Sequence, residues 1–313
     1  MKRETSILLA FLAMLGFLAL AAPSFYQFGN LRDVILANVS VLIAATGMTM
    51  VILVRQIDVS IGAQFAVCAI AAGLLAKAGL PMPLVAAGAI GTGALLGALN
   101  GWLVARMRLP SIVVTLAAMA VWRDVIRWAT GGAWIEGLPS SFQWLGLGQA
   151  TGEWIIVLLA IGILIALAWG LRNLAAGRAV YATGSDAEAA RLAGIDGPAV
   201  TFVVFVAMGA LTALAALLDS IRFSEIQTNA GAGFELKVIA AVVVGGTSIN
   251  GGRGSLFGTL LGVAILGIIG PALTFLGVNA YWEKAFQGAI ILAAVVIDAL
   301  RLQARAGGYV VAR

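Results

Sequence analysis

The chain has 313 residues, of which 62% are hydrophobic and 11% charged, and its mean hydropathy is +1.05. Soluble domains carry about 25% charged residues, so this composition predicts an integral membrane protein and leaves no soluble domain. Histidine is absent and the single cysteine, Cys68, lies in an apolar run, so a metal site, a thiol mechanism and a disulfide framework are not expected. No Lys follows a Gly, so the phosphate loop G-x-x-x-x-G-K-[ST] is absent and the chain itself is not expected to be an enzyme that hydrolyses ATP.

Apolar runs that are long enough to cross a hydrocarbon core of about 30 Å recur along the whole chain. Backbone polar groups in lipid must be satisfied within each segment, so these runs predict an all-α protein and not a barrel. We expect one transmembrane domain over residues 1–313, a bundle of about ten transmembrane helices with a short cytoplasmic coupling helix. The runs cover approximately 6–23, 33–54, 59–78, 83–105, 110–130, 153–171, 199–220, 235–249, 255–276 and 280–300.

The first run has a basic start and an A-x-A sequence at residues 19–21, which are features of a cleavable signal peptide. Its apolar part is longer than the usual length of about 7–15 residues, however, and its removal would invert every later loop. We therefore expect an uncleaved first span.

Lys and Arg residues are distributed unequally between the two sides of the predicted bundle. Most of the 19 basic residues fall on the cytoplasmic side if the amino terminus is placed there. This bias predicts that both termini are cytoplasmic. It also accounts for the net charge of +5 without a nucleic-acid partner.

Ionisable and polar residues inside spans are candidates for a solute path. Asp58 and Ser60 are expected to cap the third span, although both could line the inner mouth of a path; Gln64 follows in the same span and could form an interhelical hydrogen bond. Arg123 lies about 20 Å into the fifth span. Asp124 and Arg127 are three residues apart and can pair, which leaves Arg123 less neutralised, so it is either a path residue or extends to the outer interface.

The cytoplasmic loop at about 172–198 contains a long polar stretch, Gly177 to Gly197, which ends in YATGSDAEAARLAGIDG. Ser185 and Glu188 have the spacing of a capping box, the following residues favour a helix, and Gly194 can close it. The expected helix over 186–194 is about 12 Å long, too short to span a membrane. A helix this short is marginal alone, so it is either a solvated connector or a docking surface for a soluble partner.

Glycines recur every four residues in two predicted spans, at Gly93, Gly97 and Gly101 in the fourth and at Gly254, Gly258 and Gly262 in the ninth. Such ridges predict close helix packing. The eighth run, Glu235 to Ile249, is short and contains Gly245-Gly246, so it is either a broken element beside a cavity or a plain tilted helix.

Three stretches together resemble one family. The stretch from Gly177 to Ile195 is similar to the cytoplasmic coupling loop of bacterial ABC importer permeases of the ribose, xylose, galactose, rhamnose and autoinducer-2 group. Residues 240–262 and RQIDVSIG, Arg55 to Gly62, are similar to two further motifs of that family, each in the expected place along the chain. The coupling-loop matches are Gly177, Arg178, Tyr181, Gly184, Glu188, Ala189, Ala190, Arg191, Gly194 and Ile195.

The chain departs from the family pattern at specific positions. Arg55 and Gln56 replace a glycine pair, so a flexible backbone has become a charged and bulky one. Asp124 stands where glycine is expected. The carboxyl-terminal stretch after residue 277 resembles the rhamnose and autoinducer-2 branch more than the ribose branch.

The resemblance implies a permease subunit of an ATP-driven importer in a bacterial cytoplasmic (inner) membrane, with no cofactor of its own because ATP is bound by a partner. It implies a second permease subunit, identical or paralogous, two cytoplasmic ATPase subunits, and a periplasmic or surface-tethered sugar-binding protein. The expected solute is a monosaccharide or a similar small neutral molecule. The expected ATPase-coupling residues are Gly184, Ser185, Glu188, Ala189, Ala190, Arg191, Leu192, Gly194 and Ile195, and the expected path residues are Asp58, Ser60, Gln64 and Arg123.

Two alternatives come from other classes. An ion-coupled secondary transporter should carry an acidic residue deep in a span, whereas Asp58 and Asp219 lie near predicted span ends. A purely structural membrane scaffold would not need a capped cytoplasmic helix.

Overall fold

The protein is all-helical in the computed structural model, which describes residues 2–279, 281–290, 292–293 and 296. In this part of the chain the one β-type pairing is an isolated antiparallel bridge between Ile135 and Ile226. Residues 282–290 are also helical. The helices are α1 Lys2–Ala21, α2 Phe28–Leu53, α3 Ile61–Lys77, α4 Met82–Ala105, α5 Ser111–Thr130, α6 Gln149–Asn173, α7 Ala175–Ser185, α8 Ala187–Leu192, α9 Gly197–Ser220, α10 Phe234–Val244 and α11 Leu256–Phe275.

Six helices of the described part are long and apolar enough to cross a membrane: α1, α2, α4, α6, α9 and α11. The all-α prediction is confirmed, but ten full-length spans are not. The helix α3 has 17 residues, α10 has 11, and α5 carries Arg123, Asp124 and Arg127. The tenth predicted span, 280–300, lies partly outside the described residues.

The predicted eighth span is a short helix followed by irregular chain. At about 1.5 Å per residue, the 11 residues of α10 extend roughly 16 Å, about half of a hydrocarbon core. The helix stops at Val244, and residues 245–255 form turns and extended chain before α11 begins. A plain tilted helix over 235–249 is therefore wrong, and the broken element is correct.

The centre of the bundle is α2, which is apolar and mostly buried along its length. It packs against α6, α9, α10 and α11. The first helix, α1, lies at the edge, where Leu18 forms a small cluster with Ile268 and Ala272 of α11.

The glycines of both predicted ridges lie at close helix contacts, which confirms their packing role, except for Gly254, which precedes α11 and lies against the side chain of Thr247. On α4, a β-carbon at Gly93 or Gly97 would overlap the backbone oxygens of Gly209 or Phe205 in α9. On α11, Gly258 and Gly262 lie in the same way against the backbone of α10 and of the glycine that follows it. In lipid there is little hydrophobic driving force for helices to associate, so close backbone contact stabilises the bundle through van der Waals attraction.

The α4 ridge is tested by comparing Gly97→Val with Gly91→Val. Residue 97 has no room for a side chain, whereas nothing lies within 4 Å of a β-carbon at Gly91 in the same helix. Valine at 97 should therefore separate α4 from α9 and destabilise the protein by at least about 1–3 kcal/mol. Thermal unfolding of the detergent-purified protein should show a lower transition for Gly97→Val only; equal transitions would contradict the packing role.

Candidate functional site

The α7–α8 segment is the polar stretch that the sequence singled out. Helix α8 begins after Asp186, whose carboxylate accepts the backbone N–H groups of Glu188 and Ala189, both at 3.0 Å. Ser185 is still the last residue of α7. The predicted capping box between Ser185 and Glu188 is therefore wrong, because the adjacent carboxylate of Asp186 takes the cap position. The helix has six residues and is shorter than expected.

The carboxyl-terminal end of α8 is closed as expected. Gly194 has a φ of +80°, a left-handed conformation that glycine adopts without steric cost. Its N–H donates to Arg191 O and the N–H of Ile195 donates to Ala190 O, both at 3.0 Å. These two bonds form a Schellman motif, so Gly194 and Ile195 fix the exit of the helix.

The outward face of α8 carries Glu188, Ala189 and Leu192, all exposed, with Leu192 at 75%. Ala190 lies on the opposite, inward face of α8 and is buried. Arg191 donates two hydrogen bonds to the carboxylate of Glu188, at 3.0 and 2.6 Å, and this holds the pKa of Glu188 below its ordinary value. An exposed pair of this kind adds little stability, so α8 is fixed mainly by its two ends.

The end of α7 is in backbone contact with two other segments. Gly184 of α7 lies against Leu53, at the end of α2, and against Gly252, in the loop before α11. A β-carbon at Gly184 would overlap the carbonyl oxygen of Leu53, and the N–H of Gly252 donates to that same oxygen at 2.9 Å. Nearby, the Tyr181 hydroxyl donates to Gly254 O at 2.9 Å. Glycine at 184 is thus required for close approach, and α7 is fastened to the end of α2 and to the loop before α11.

Arg55 follows α2 in an unusual backbone conformation. Its φ is +62°, and the N–H groups of Arg55 and Gln56 bond back to Ile52 O and Val51 O, so the helix ends in a Schellman motif with arginine at the glycine position. An L-residue there costs about 1–2 kcal/mol. The guanidinium donates from Nε to Gly184 O at 2.6 Å and from Nη2 to Ser185 O at 2.7 Å. From the sequence, Arg55 was recognised only as a replacement of a glycine in the family pattern, and these contacts were not predicted.

Residues 55–60 are not helical, and α5 provides partners for their backbone. Ile57 N–H donates to the Ser111 hydroxyl at 3.3 Å and Val59 N–H to the Thr115 hydroxyl at 3.1 Å. Irregular chain at membrane depth persists where protein satisfies its polar groups. The predicted third span therefore starts later than expected, at Ile61.

Asp58, Ser60, Gln64 and Asn100 form a polar cluster with no exposed surface. The Asp58 carboxylate accepts the backbone N–H of Ser60 at 2.9 Å, the Ser60 hydroxyl, and Gln64 Nε2 at 3.1 Å. Asn100 of α4 donates to the Ser60 hydroxyl at 2.9 Å. The expected side-chain cap of α3 is wrong, because these groups bond to one another. Gln64 bonds to Asp58 and Ser60 at the start of its own helix, so the interhelical bond expected of it is not seen, and Asn100 makes the link to α4.

Arg123 is half-buried and engages backbone carbonyls. Its guanidinium donates to Ala230 O at 2.8 Å and to Gly62 O at 3.0 Å, so it ties α5 to the start of α3 and to the loop before α10. The neighbouring pair is as predicted, since Arg127 Nη1 lies 3.5 Å from Asp124 Oδ1. The guanidinium of Arg123 thus binds one carbonyl in the first turn of α3 and one loop carbonyl, neither of which the sequence could identify.

A cavity of about 570 Å³ lies far from α8, near the carboxyl-terminal end of α9; we call it the distal cavity. Its lining includes Phe65, Asp219, Lys237, Glu283 and Gln287. Lys237 interacts electrostatically with both carboxylates. The ring of Phe65 lies 4.7 Å from that of Phe234. A volume of this size, with an apolar aromatic wall and a few charged groups, is typical of a small-molecule site, and the sequence had not joined these residues.

Comparison with known proteins identifies the class to which this membrane bundle belongs. Residues 30–295 match the family model described as "Branched-chain amino acid transport system / permease component". The chain belongs to this family. No solved structure matches it.

Curated relatives make the assignment narrower. The chain is 35% identical over 303 residues to the "Autoinducer 2 import system permease protein LsrC" of Enterobacter sp. (strain 638), covering 97% of this chain and 88% of the relative. Proteins of the same name match from Salmonella typhi, at 34% with 95% and 86% covered, and from Escherichia coli (strain K12 / DH10B), at 37% with 82% and 75% covered. The chain is therefore a multi-pass membrane permease subunit of an ABC import system.

The polar cluster is tested by Asp58→Ala. This change leaves the Ser60 N–H buried without its acceptor and removes one of the two acceptors of Gln64 Nε2, so it should destabilise the protein by at least about 2 kcal/mol. Asp33→Ala, which removes an exposed carboxylate of α2, serves as the control and should have almost no effect. Apparent melting temperatures in detergent measure both; a shift for Asp58→Ala no larger than that of the control would contradict the role of the cluster.

Proposed function

We propose that this chain forms the translocation path of an importer for a small, neutral, hydroxyl-rich solute of the monosaccharide class, and that separate cytoplasmic subunits bind and hydrolyse the ATP. The relatives are named for autoinducer-2 import, which supports a solute of that size and polarity. The observation that carries the coupling role is α8: a short helix, capped at both ends, whose outward face bears an uncovered leucine.

The remaining assembly follows from the same family. We propose a second permease subunit, identical or paralogous, two ATPase subunits on the cytoplasmic face, and a periplasmic or surface-tethered binding protein that delivers the solute. Both termini lie in the cytoplasm of a bacterial cell, and the shorter helices α3, α5 and α10 with the helical residues 282–290 complete about ten membrane-embedded elements. In this orientation α8 faces the cytoplasm and the distal cavity lies toward the outside.

The expected coupling residues fall into two groups, those on the exposed face of α8 and those that hold α8 in position. Glu188, Ala189 and Leu192 form the exposed face that an ATPase groove would bind, and Arg191 lies beside it. Gly184, Ser185, Ala190, Gly194 and Ile195 act through the position of the helix: they join it to α7, pack its inner side or fix its exit.

The solute path begins, in this proposal, at the distal cavity. Carboxylates and an ammonium group can bond to solute hydroxyls, and Phe65 offers an aromatic wall to the apolar face of a sugar. Arg123 contributes by holding Ala230 and Gly62 beside this region. Asp58, Ser60 and Gln64 lie on the inner part of the path; because they are fully buried, they would meet solute only in another conformation.

The alternative is an ion-coupled secondary transporter, and energy dependence separates the two. Uptake by an ABC importer should continue after the membrane potential is dissipated and stop when ATP is depleted. The reverse pattern would reject the proposed function.

The docking role of α8 is tested by Ala189→Trp. An indole on the exposed face should block the partner groove, so ATPase co-purification and solute uptake should both fall at least about tenfold, while the amount of permease in the membrane stays normal. Gly194→Val should have a similar effect, because valine disfavours the left-handed exit.

Two controls accompany this test. Ala189→Ser keeps the side chain small, and Ala133→Trp adds the same bulk to an exposed loop far from α8; both should behave like the parental protein. Parental ATPase association and uptake in Ala189→Trp would rule out docking through this face.

The distal cavity is tested by Lys237→Met, which removes the ammonium group and keeps the length of the side chain. Uptake at low solute concentration should fall about fivefold or more while ATPase association is unchanged, because the cavity lies at the opposite end from α8. Lys77→Met, at the exposed end of α3, is the matched control. Equal uptake by the two variants would exclude Lys237 from the path.

A further inference from the structure

The carbonyl groups at the end of α7 lack partners within their own helix, as do those of every helix terminus. Arg55 supplies donors to two of them, since its guanidinium donates to Gly184 O and Ser185 O across about 130 residues of sequence. A cation at the carboxyl-terminal end of a helix is also favoured by the helix dipole. The contact therefore joins the end of α2 to the residues immediately before α8.

The backbone of Arg55 indicates that this side chain is not incidental. A residue that only had to end α2 with a φ of +62° would be glycine, because glycine adopts that conformation without steric cost. The opposing loop also leaves space for the arginine: Cγ of Arg55 occupies the position where a side chain of Gly251 would begin. The site therefore holds arginine in an unfavourable conformation. Gly251 opposite has a φ of +76°, which itself favours glycine, and the arginine uses the space that this glycine leaves.

Arg55 also begins the non-helical segment 55–60. This segment is held by Ser111 and Thr115 of α5 and contains the buried carboxylate of Asp58. A displacement of α7 and α8 would thus reach α3 and α5 through Arg55, along a short stretch of chain that is hydrogen-bonded at both ends.

We propose that Arg55 is the positioning residue that transmits movement of α8 to the segment between α2 and α3, and so couples ATPase motion to opening of the solute path. This role rests on the proposed docking of an ATPase to α8. It assigns transmission to a side chain that touches neither the ATPase face nor the solute.

The test compares Arg55→Gly, Arg55→Lys and the control Arg172→Ala, which removes an exposed arginine at the same end of the bundle. Glycine suits the left-handed conformation, so Arg55→Gly should fold with a parental melting temperature. In the purified permease alone, amide hydrogen exchange of residues 182–192 should become about threefold faster or more in Arg55→Gly and stay parental in the control.

In the full importer, with ATPase and binding protein present, Arg55→Gly should keep ATPase co-purification but lose about fivefold or more of both uptake and solute-stimulated ATP hydrolysis. Arg55→Lys, which can reach one carbonyl, should be intermediate. Parental uptake in Arg55→Gly would overturn the proposal, whether or not the exchange changes.

The two levels of failure are distinguishable. If Arg55→Gly binds ATPase and transports normally, only the transmission role fails. If the parental chain itself binds no ATPase, or Ala189→Trp leaves binding unchanged, the docking role fails and transmission through Arg55 fails with it. A melting temperature of Arg55→Gly well below parental would also contradict the proposal, because it would show that the contact serves stability.

Discussion

The segment between α2 and α3 depends on a single constraint: backbone amides that leave a helix within a membrane bundle must find partners in the protein. Ser111 and Thr115 of α5 supply two of these partners, and Asp58 supplies the acceptor for Ser60. The late start of α3 and the position of α5 follow from this arrangement. The buried polar cluster meets the same requirement for side chains, because a buried carboxylate is tolerated only when hydrogen-bond donors surround it.

Features with a local or periodic signal could be predicted from the sequence. The all-α class follows from hydropathy, the glycine ridges from their four-residue period, and the Asp124–Arg127 pair from its spacing. Gly194 was predictable because helix ends use glycine in a left-handed turn. Each of these depends on residues close in sequence, or on one helix face whose partner need not be known.

Features that depend on distant partners could not be predicted. Asp186 displaced Ser185 as the cap because Ser185 belongs to α7, a helix that the sequence analysis had not predicted. Arg123 binds two backbone carbonyls from distant segments, which no side-chain pattern reveals. The distal cavity brings together Lys237 and Glu283 from separate helices. The eighth predicted span was too long, because α10 stops at Val244 and residues 245–249, which are mostly glycine, threonine and serine, are not helical.

The glycine ridges have a mechanical consequence. Where the backbones of two helices are in direct contact, no side chains lie between them that could adjust to a movement. The α4–α9 pair and the α10–α11 pair should therefore each be stiff. Helix α2 packs against members of both pairs. We therefore expect the helices within each pair to keep their relative positions when the bundle changes shape, and relative movement to occur between the two pairs, where each contacts α2.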